Sequence, residues 1–167
     1  MAVKEIKPEE FNESVFKVIG KDWLLVAGEA DGKSNAMTAS WGGMGVMWGK
    51  PVAFVFIRPS RYTKKFVDKA DGLSLSVFVD ENHKMLNYFG TVSGRDEDKI
   101  AKAGLTVKHD NGCTYFDEAR ITMLCRKLYV QDLKQDCFID KSCDERWYKN
   151  DYHTMYVVEI EKILVKD

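Results

Sequence analysis

Two long runs of β-branched and aromatic residues, Ala119–Leu133 and His153–Val165, dominate the C-terminal half and limit what the chain can fold into. The second places Tyr156, Val158 and Ile160 on one face against Glu159 and Glu161 on the other. That period of two marks an antiparallel strand buried on one side. Shorter runs precede them at Trp23–Gly28, Ala36–Trp41, Pro51–Arg58 and Leu73–Val79. Asp31-Gly32, with Lys33 and Ser34 after it, joins the first two as a hairpin turn. Helical spacing lies between the strands. Tyr62, Phe66 and Ala70 recur along Ser60–Ala70, Met85, Leu86 and Phe89 share a face of Asn82–Thr91, and Asp96–Ala103 stops at Gly104. This is not the strand–helix alternation of a parallel sheet. It predicts a mainly β chain with inserted helices, a small antiparallel barrel forming one domain over residues 1–167.

Charge and cysteine usage remove several functions. Lys and Arg number 25 against 26 Asp and Glu, so the chain carries no global field to attract nucleic acid or an anionic membrane. No apolar run approaches the roughly 18 residues of a membrane span, and Met1–Glu10 lacks the apolar centre of a signal peptide. The expectation is a cytoplasmic protein. Cys113, Cys125, Cys137 and Cys143 form no C-x-x-C pair and have no His at finger spacing, which argues for thiols rather than structural zinc. Cys125 is expected in a strand core, with Cys137 and Cys143 flanking an exposed, charged segment. G-x-G-x-x-G, Walker A and G-x-S-x-G motifs are all absent.

The chemistry concentrates in Ser34–Lys65. As a strand, Asn35–Trp41 puts Ala36, Thr38 and Ser40 on one face, small enough for a flat ligand to lie against the backbone. The same residues would also suit an edge strand with solvated hydroxyls. Arg58-Pro59-Ser60-Arg61-Tyr62-Thr63 falls at a strand-to-helix junction, where Arg forks, hydroxyls and a helix N-terminus converge on a potential phosphate. A basic first turn on a solvated helix is the alternative. Between the two blocks, Trp41–Pro51 reads as a glycine-rich apolar loop, either walling a planar ligand or meeting a second subunit.

The order N-x-M-T-x-S-W-G-G-x-G-x-M-W-G-K-P, followed by R-P-x-R-Y-T, resembles the flavin reductase-like family, and within it the flavoredoxin-like branch. Ser93-Gly94-Arg95-Asp96, Asp98-Lys99 and His153-Thr154-Met155-Tyr156 fit the same pattern, which covers the chain from about its tenth residue. The resemblance implies an FMN-binding split β-barrel that forms a homodimer. It implies that Asn35, Met37, Thr38, Ala39, Ser40 and Trp41 line the isoalloxazine and ribityl chain, and that Arg58, Arg61, Tyr62 and Thr63 hold the phosphate. It further implies hydride or electron transfer from NAD(P)H through FMN to a small-molecule or protein acceptor, with the cofactor carrying the chemistry.

His153 is the one candidate for proton delivery, provided its pKa stays near neutral; a strand-end surface histidine is the alternative. His83 and His109 read as solvated, and Lys134–Asp151 as a long loop that caps a flavin or merely connects strands. The rival functions are a flavoredoxin-type electron carrier, a pyridoxamine phosphate oxidase and a non-catalytic flavin- or haem-binding module.

Overall fold

A computed structural model describes residues 2–166. Its frame is one antiparallel sheet containing β1 (Val3–Ile6), β2 (Leu24–Ala30), β3 (Lys33–Ala39), β4 (Gly42–Met47), β5 (Lys50–Ile57), β6 (Gly72–Val77), β9 (Ile121–Asp132) and β10 (Thr154–Lys166). The strand order is β3-β2-β6-β9-β10-β5-β4, with β1 added to the far end of β10. β3 and β4 are the two edges, and they do not pair with each other. The sheet therefore curls without closing, the split barrel that the resemblance implies. A separate hairpin, β7 (Val107–Asp110) with β8 (Cys113–Phe116), packs outside.

Curvature comes from the two long C-terminal strands. β9 and β10 pair along most of their length, with register shifts at Val157/Val158 and Ile160/Lys162. Bulges of this kind raise the local twist and bend a sheet. The inner face, with Tyr156, Val158, Ile160, Leu73, Leu75, Val26, Met37 and Ile57, forms the main core. Burying one such side chain contributes roughly 1.5–3 kcal/mol. On the outer face Leu25, Ala27 and Ala36 pack against Leu86 and Phe89 of α3 (His83–Thr91) and Ile100 of α4 (Lys99–Ala103).

The helices are shorter than their sequence periodicity. Besides α3 and α4 they are α1 (Val15–Lys17), which runs into a wider turn at Val18–Asp22, α2 (Thr63–Lys69) and α5 (Lys141–Trp147). α2 starts at Thr63 rather than Ser60, because residues 60–62 are spent on a turn in which Arg61 N–H donates to the Arg58 carbonyl. α2 is only seven residues long, so the cations and hydroxyls of the junction weigh more than the helix end in the case for an anion there. α4 ends as anticipated, on Gly104 in the left-handed region at φ 69°.

The largest revision concerns Trp41–Pro51. Glycine-rich composition suggested a loop, but Gly42–Met47 is β4, paired along its length with β5. Glycine here serves close approach: a Cβ on Gly42 would sit 2.7 Å from the Phe54 carbonyl oxygen. The turn at the tip places Trp48 (φ 53°) and Gly49 (φ 69°) in the left-handed region, the geometry of a two-residue hairpin. β1, β7 and β8 carried no strong strand pattern, and Lys134–Asp151 contains α5 instead of being uniformly irregular. All four cysteines are free; Cys113 and Cys125 are buried, Cys137 and Cys143 exposed.

Candidate functional site

Strands distant in sheet order meet at the open seam. A cavity of about 180 Å³ is lined by Met37, Thr38, Ala39, Ser40 and Trp41 at the end of β3, by Phe56 and Arg58 at the end of β5, and by Arg61 and His153. β3 is one edge of the sheet and β5 lies next to the other, so the cavity occupies the gap that keeps the barrel open. Met37 and Ala39 turn their side chains into the core. Ala36 packs under α3, and the Thr38 hydroxyl donates to the Leu86 carbonyl. The small-residue face is thus covered by α3 over its first half and opens only toward Ser40 and Trp41.

Arg61 also lines a second cavity of about 150 Å³, with Asn35, Ser60, Tyr62, Thr63, Gly90, Thr91, Val92, Ser93, Gly94, Arg95 and Lys99. Together the two reach the lower end of the range for small-molecule sites, about 300–1,000 Å³. Arg61, Arg95 and Lys99 converge here with several hydroxyls, and the lining holds no carboxylate. The Arg61 guanidinium donates to the Gly90 and Phe89 carbonyls at 3.0 Å each, and Lys99 Nζ donates to the Phe89 carbonyl at 3.1 Å. Arg95 stacks over Tyr62 at 4.8 Å and donates to the Ser60 carbonyl. Lys99 is 3% exposed; burial and the neighbouring Arg61 charge lower its pKa to about 8. Positive charge without a counter-carboxylate is costly under burial, and a dianionic phosphate ester would relieve it.

Two local features shape that cavity. Asn35 Nδ2 donates to Thr63 Oγ1 at 2.8 Å, locking β3 to the start of α2. The backbone at Gly94 lies against the same amide: a Cβ there would fall 2.2 Å from Asn35 Oδ1 and 3.0 Å from the Tyr62 ring. Any larger residue would push the Ser93–Arg95 turn out of the site.

The other side of the seam is built by the excursion between β9 and β10. Arg58 donates to Asp151 Oδ2 at 2.6 Å and to the Trp147 carbonyl at 2.9 Å, and lies over the Tyr148 ring at 4.8 Å. Trp147 meets Trp41 edge-on at 5.0 Å between ring centres. Phe138, Tyr148 and Tyr152 form an aromatic cluster behind them. The excursion is therefore a cap anchored by Arg58. His153 is 8% exposed, set between Trp41 and Phe56, with Nδ1 2.7 Å from the Tyr148 hydroxyl. Burial, aided by the Arg58 charge, lowers its pKa to about 4. That favours the neutral ring near pH 7 rather than the near-neutral pKa that proton delivery needs, and its burial sets it apart from a surface histidine.

The ten residues singled out from sequence thus divide. Thr38, Ser40, Trp41 and Arg61 line the seam cavity, Met37 and Ala39 border it with their side chains in the core, and Asn35, Tyr62 and Thr63 join Arg61 in the second cavity. Arg58 alone has its guanidinium tied to the cap. Lys99, Arg95, Phe56, Trp147 and Tyr148 were not among them. Arg95 and Lys99 lie in the Ser93–Asp96 and Asp98-Lys99 pieces that fit the family pattern, and Trp147 and Tyr148 in the segment read as a cap or a connection, but only tertiary contacts bring them and Phe56 to the site. His83 stacks on Trp23 at 4.6 Å, and His109 is mostly exposed beside Glu29.

Residues 19–167 match the family described as Flavin reductase like domain. No curated protein matches the chain. Among solved structures, flavoredoxin of Desulfovibrio vulgaris superposes with a TM-score of 0.69 at 22% identity, covering 87% of this chain and 69% of that one. An FMN-binding domain of a flavin reductases-like enzyme from Shewanella baltica gives 0.71 at 12% identity, covering 98% and 77%. An FMN-binding protein from Thermus thermophilus with bound p-hydroxybenzaldehyde gives 0.67 at 19% identity, covering 87% and 71%. At these identities the likeness is one of fold. With most of the chain matched, from just before β2 to the end of β10, the protein belongs to the flavin reductase-like family.

Proposed function

We propose that this chain is an FMN-binding oxidoreductase that passes hydride or electrons from NAD(P)H to flavin or to a downstream acceptor. The observation that carries this reading is the pair of adjoining cavities sharing Arg61, one walled by rings and strand backbone, the other cationic and free of carboxylates. A phosphomonoester carries roughly −1.5 to −2 charges near neutral pH, which matches the second cavity. Arg61, Arg95 and Lys99, with the Thr63 and Ser93 hydroxyls, would hold the phosphate of FMN; Ser40, Trp41, Phe56 and His153 would face its ring system. When bound, FMN supplies the hydride and electron chemistry. The chain's own part is to bind, to orient and to narrow access to water: Trp147 closes over Trp41, and Arg58 fastens the cap.

A homodimer belongs to the same reading. β4 is an unpaired edge, and near it Val46 (79% exposed), Trp48, Tyr129 and Val130 leave apolar surface in water. Single exposed apolar residues are ordinary, but a group beside an open strand edge is what a second copy would cover. Among the described residues no helix is long and apolar enough to cross a membrane.

A flavoredoxin-type electron carrier is the second reading, favoured by the Trp147–Trp41 closure, which narrows the approach for a nicotinamide. The test is a visible spectrum of the protein with FMN, followed by anaerobic NADH and NADPH. Rapid bleaching of bound flavin by either nucleotide supports the reductase. Bleaching only by dithionite or a protein reductant supports the carrier, and failure to take up FMN defeats both.

A further inference from the structure

His153 and Tyr148 together assign a chemical preference to the seam cavity that neither residue shows alone. The histidine lines the cavity, and its Nδ1 faces inward to the cap, 2.7 Å from the Tyr148 hydroxyl. A phenol is a better hydrogen-bond donor than a neutral imidazole, and an imidazole nitrogen a better acceptor than a phenol oxygen, so the proton of this contact belongs to tyrosine. Tyr148 has no competing partner for its hydroxyl among the described residues, and burial pushes its pKa up, which keeps it protonated. With Nδ1 occupied as an acceptor, the ring hydrogen must sit on Nε2. Nε2 has no protein partner among the described residues. The remaining walls are the β3 end from Met37 to Ser40, the rings of Trp41 and Phe56, and the cations Arg58 and Arg61, with no carboxylate.

We propose that Tyr148 is a positioning residue that fixes His153 as the Nε2–H tautomer, making it a neutral hydrogen-bond donor to a carbonyl oxygen or ring nitrogen on the edge of a planar ligand. This rests on the flavin reading for the ligand's place in the cavity. It does not rest on it for the tautomer. Two sources offer the required edge, the flavin itself and a conjugated carbonyl substrate beside it. The charged groups around the ring are Arg58 from the end of β5 and Asp151 from the cap, which oppose each other in their effect on its protonation. Trp41 from the β3 end and Phe56 from β5 are uncharged.

The experiment is ¹⁵N NMR of the histidine ring in the full chain, ligand-free, with FMN, and with FMN plus p-hydroxybenzaldehyde. The ligand-free protein should show an unprotonated Nδ1 and a protonated Nε2 from pH 5 to 8. In Tyr148→Phe the single tautomer should give way to a mixture and the titration midpoint should rise, which a merely structural role would not cause. A shift of Nε2 on adding FMN makes flavin the acceptor; a shift only after the aldehyde makes it the second ligand. An Nδ1–H tautomer in the ligand-free protein, or an unchanged tautomer in Tyr148→Phe, overturns the positioning role. An Nε2 that neither ligand moves, while flavin fluorescence shows FMN bound, overturns the donor role. Should FMN not bind at all, the flavin reading fails by itself, and the tautomer is still decided by the ligand-free spectra.

Discussion

Arg58 and Arg61 flank Pro59-Ser60 in the same short junction, yet the two sides of the seam use them differently. Arg58 turns to the cap, where Asp151 and the Trp147 carbonyl satisfy it and Tyr148 supports its plane. Arg61 turns inward, where only the Gly90 and Phe89 carbonyls receive it and Lys99 adds a second charge of the same sign. One arginine is a fastener whose charge is already answered. The other keeps an unanswered charge, which is what a binding site for an anion needs. A basic cluster in sequence counts donors, whereas the presence or absence of a carboxylate partner decides which donors are left for a ligand.

The sharpest way to break that contrast is Arg61→Ala. Loss of charge-assisted contacts on the order of 1.5–3 kcal/mol should weaken FMN binding by about ten- to over a hundredfold. Fluorescence titration measures it, and an affinity within twofold of wild type would return Arg61 to a structural role. Gly94→Ala probes the same cavity through backbone. Its Cβ has no room beside Asn35 and Tyr62, so urea unfolding should show a loss of about 1–3 kcal/mol together with weaker FMN binding.

Acid stability separates the sides next. His153 binds its proton near pH 4 when folded and near 6.5 when unfolded, so the unfolded chain holds more protons between those values. Stability should therefore rise with pH across that window and flatten above it, and His153→Gln should remove much of the rise. On the other side, Lys99 begins to lose its proton near pH 8 in the free protein, while a bound phosphate would hold it charged. FMN affinity should fall above that pH by at most about tenfold per unit, and Lys99→Met should flatten the profile. The smallest effect is expected at the fastener. Asp151 is partly exposed, so Asp151→Asn should cost only about 0.2–1 kcal/mol, read as greater mobility of Trp147 fluorescence with FMN affinity nearly unchanged.

How much of this was legible in the sequence follows from the same physics. Period-two patterning identified β10 because Tyr156, Val158 and Ile160 bury while Glu159 turns out to Arg126 and Lys50. The Asn35–Trp41 and Arg58–Thr63 blocks pointed to the seam because they are contiguous in sequence and lie at strand ends. β4 escaped because its glycines weaken local strand preference, and only pairing with β5 makes it a strand. Lys99 escaped because its burial depends on Arg61 and Phe89, which the sequence does not place beside it. The role of Arg58 depends on a partner 93 positions away. No local pattern encodes that distance.

The role proposed for the inward-facing cations is to hold a flavin at the seam by its phosphate. Parallel titrations with FMN and with riboflavin, which lacks the phosphate, test it most directly in wild type and in Arg61→Ala. Wild type should prefer FMN strongly, and Arg61→Ala should lose most of that preference while riboflavin binding barely changes. Equal binding of the two flavins by wild type, or a preference that survives intact in Arg61→Ala, would contradict it.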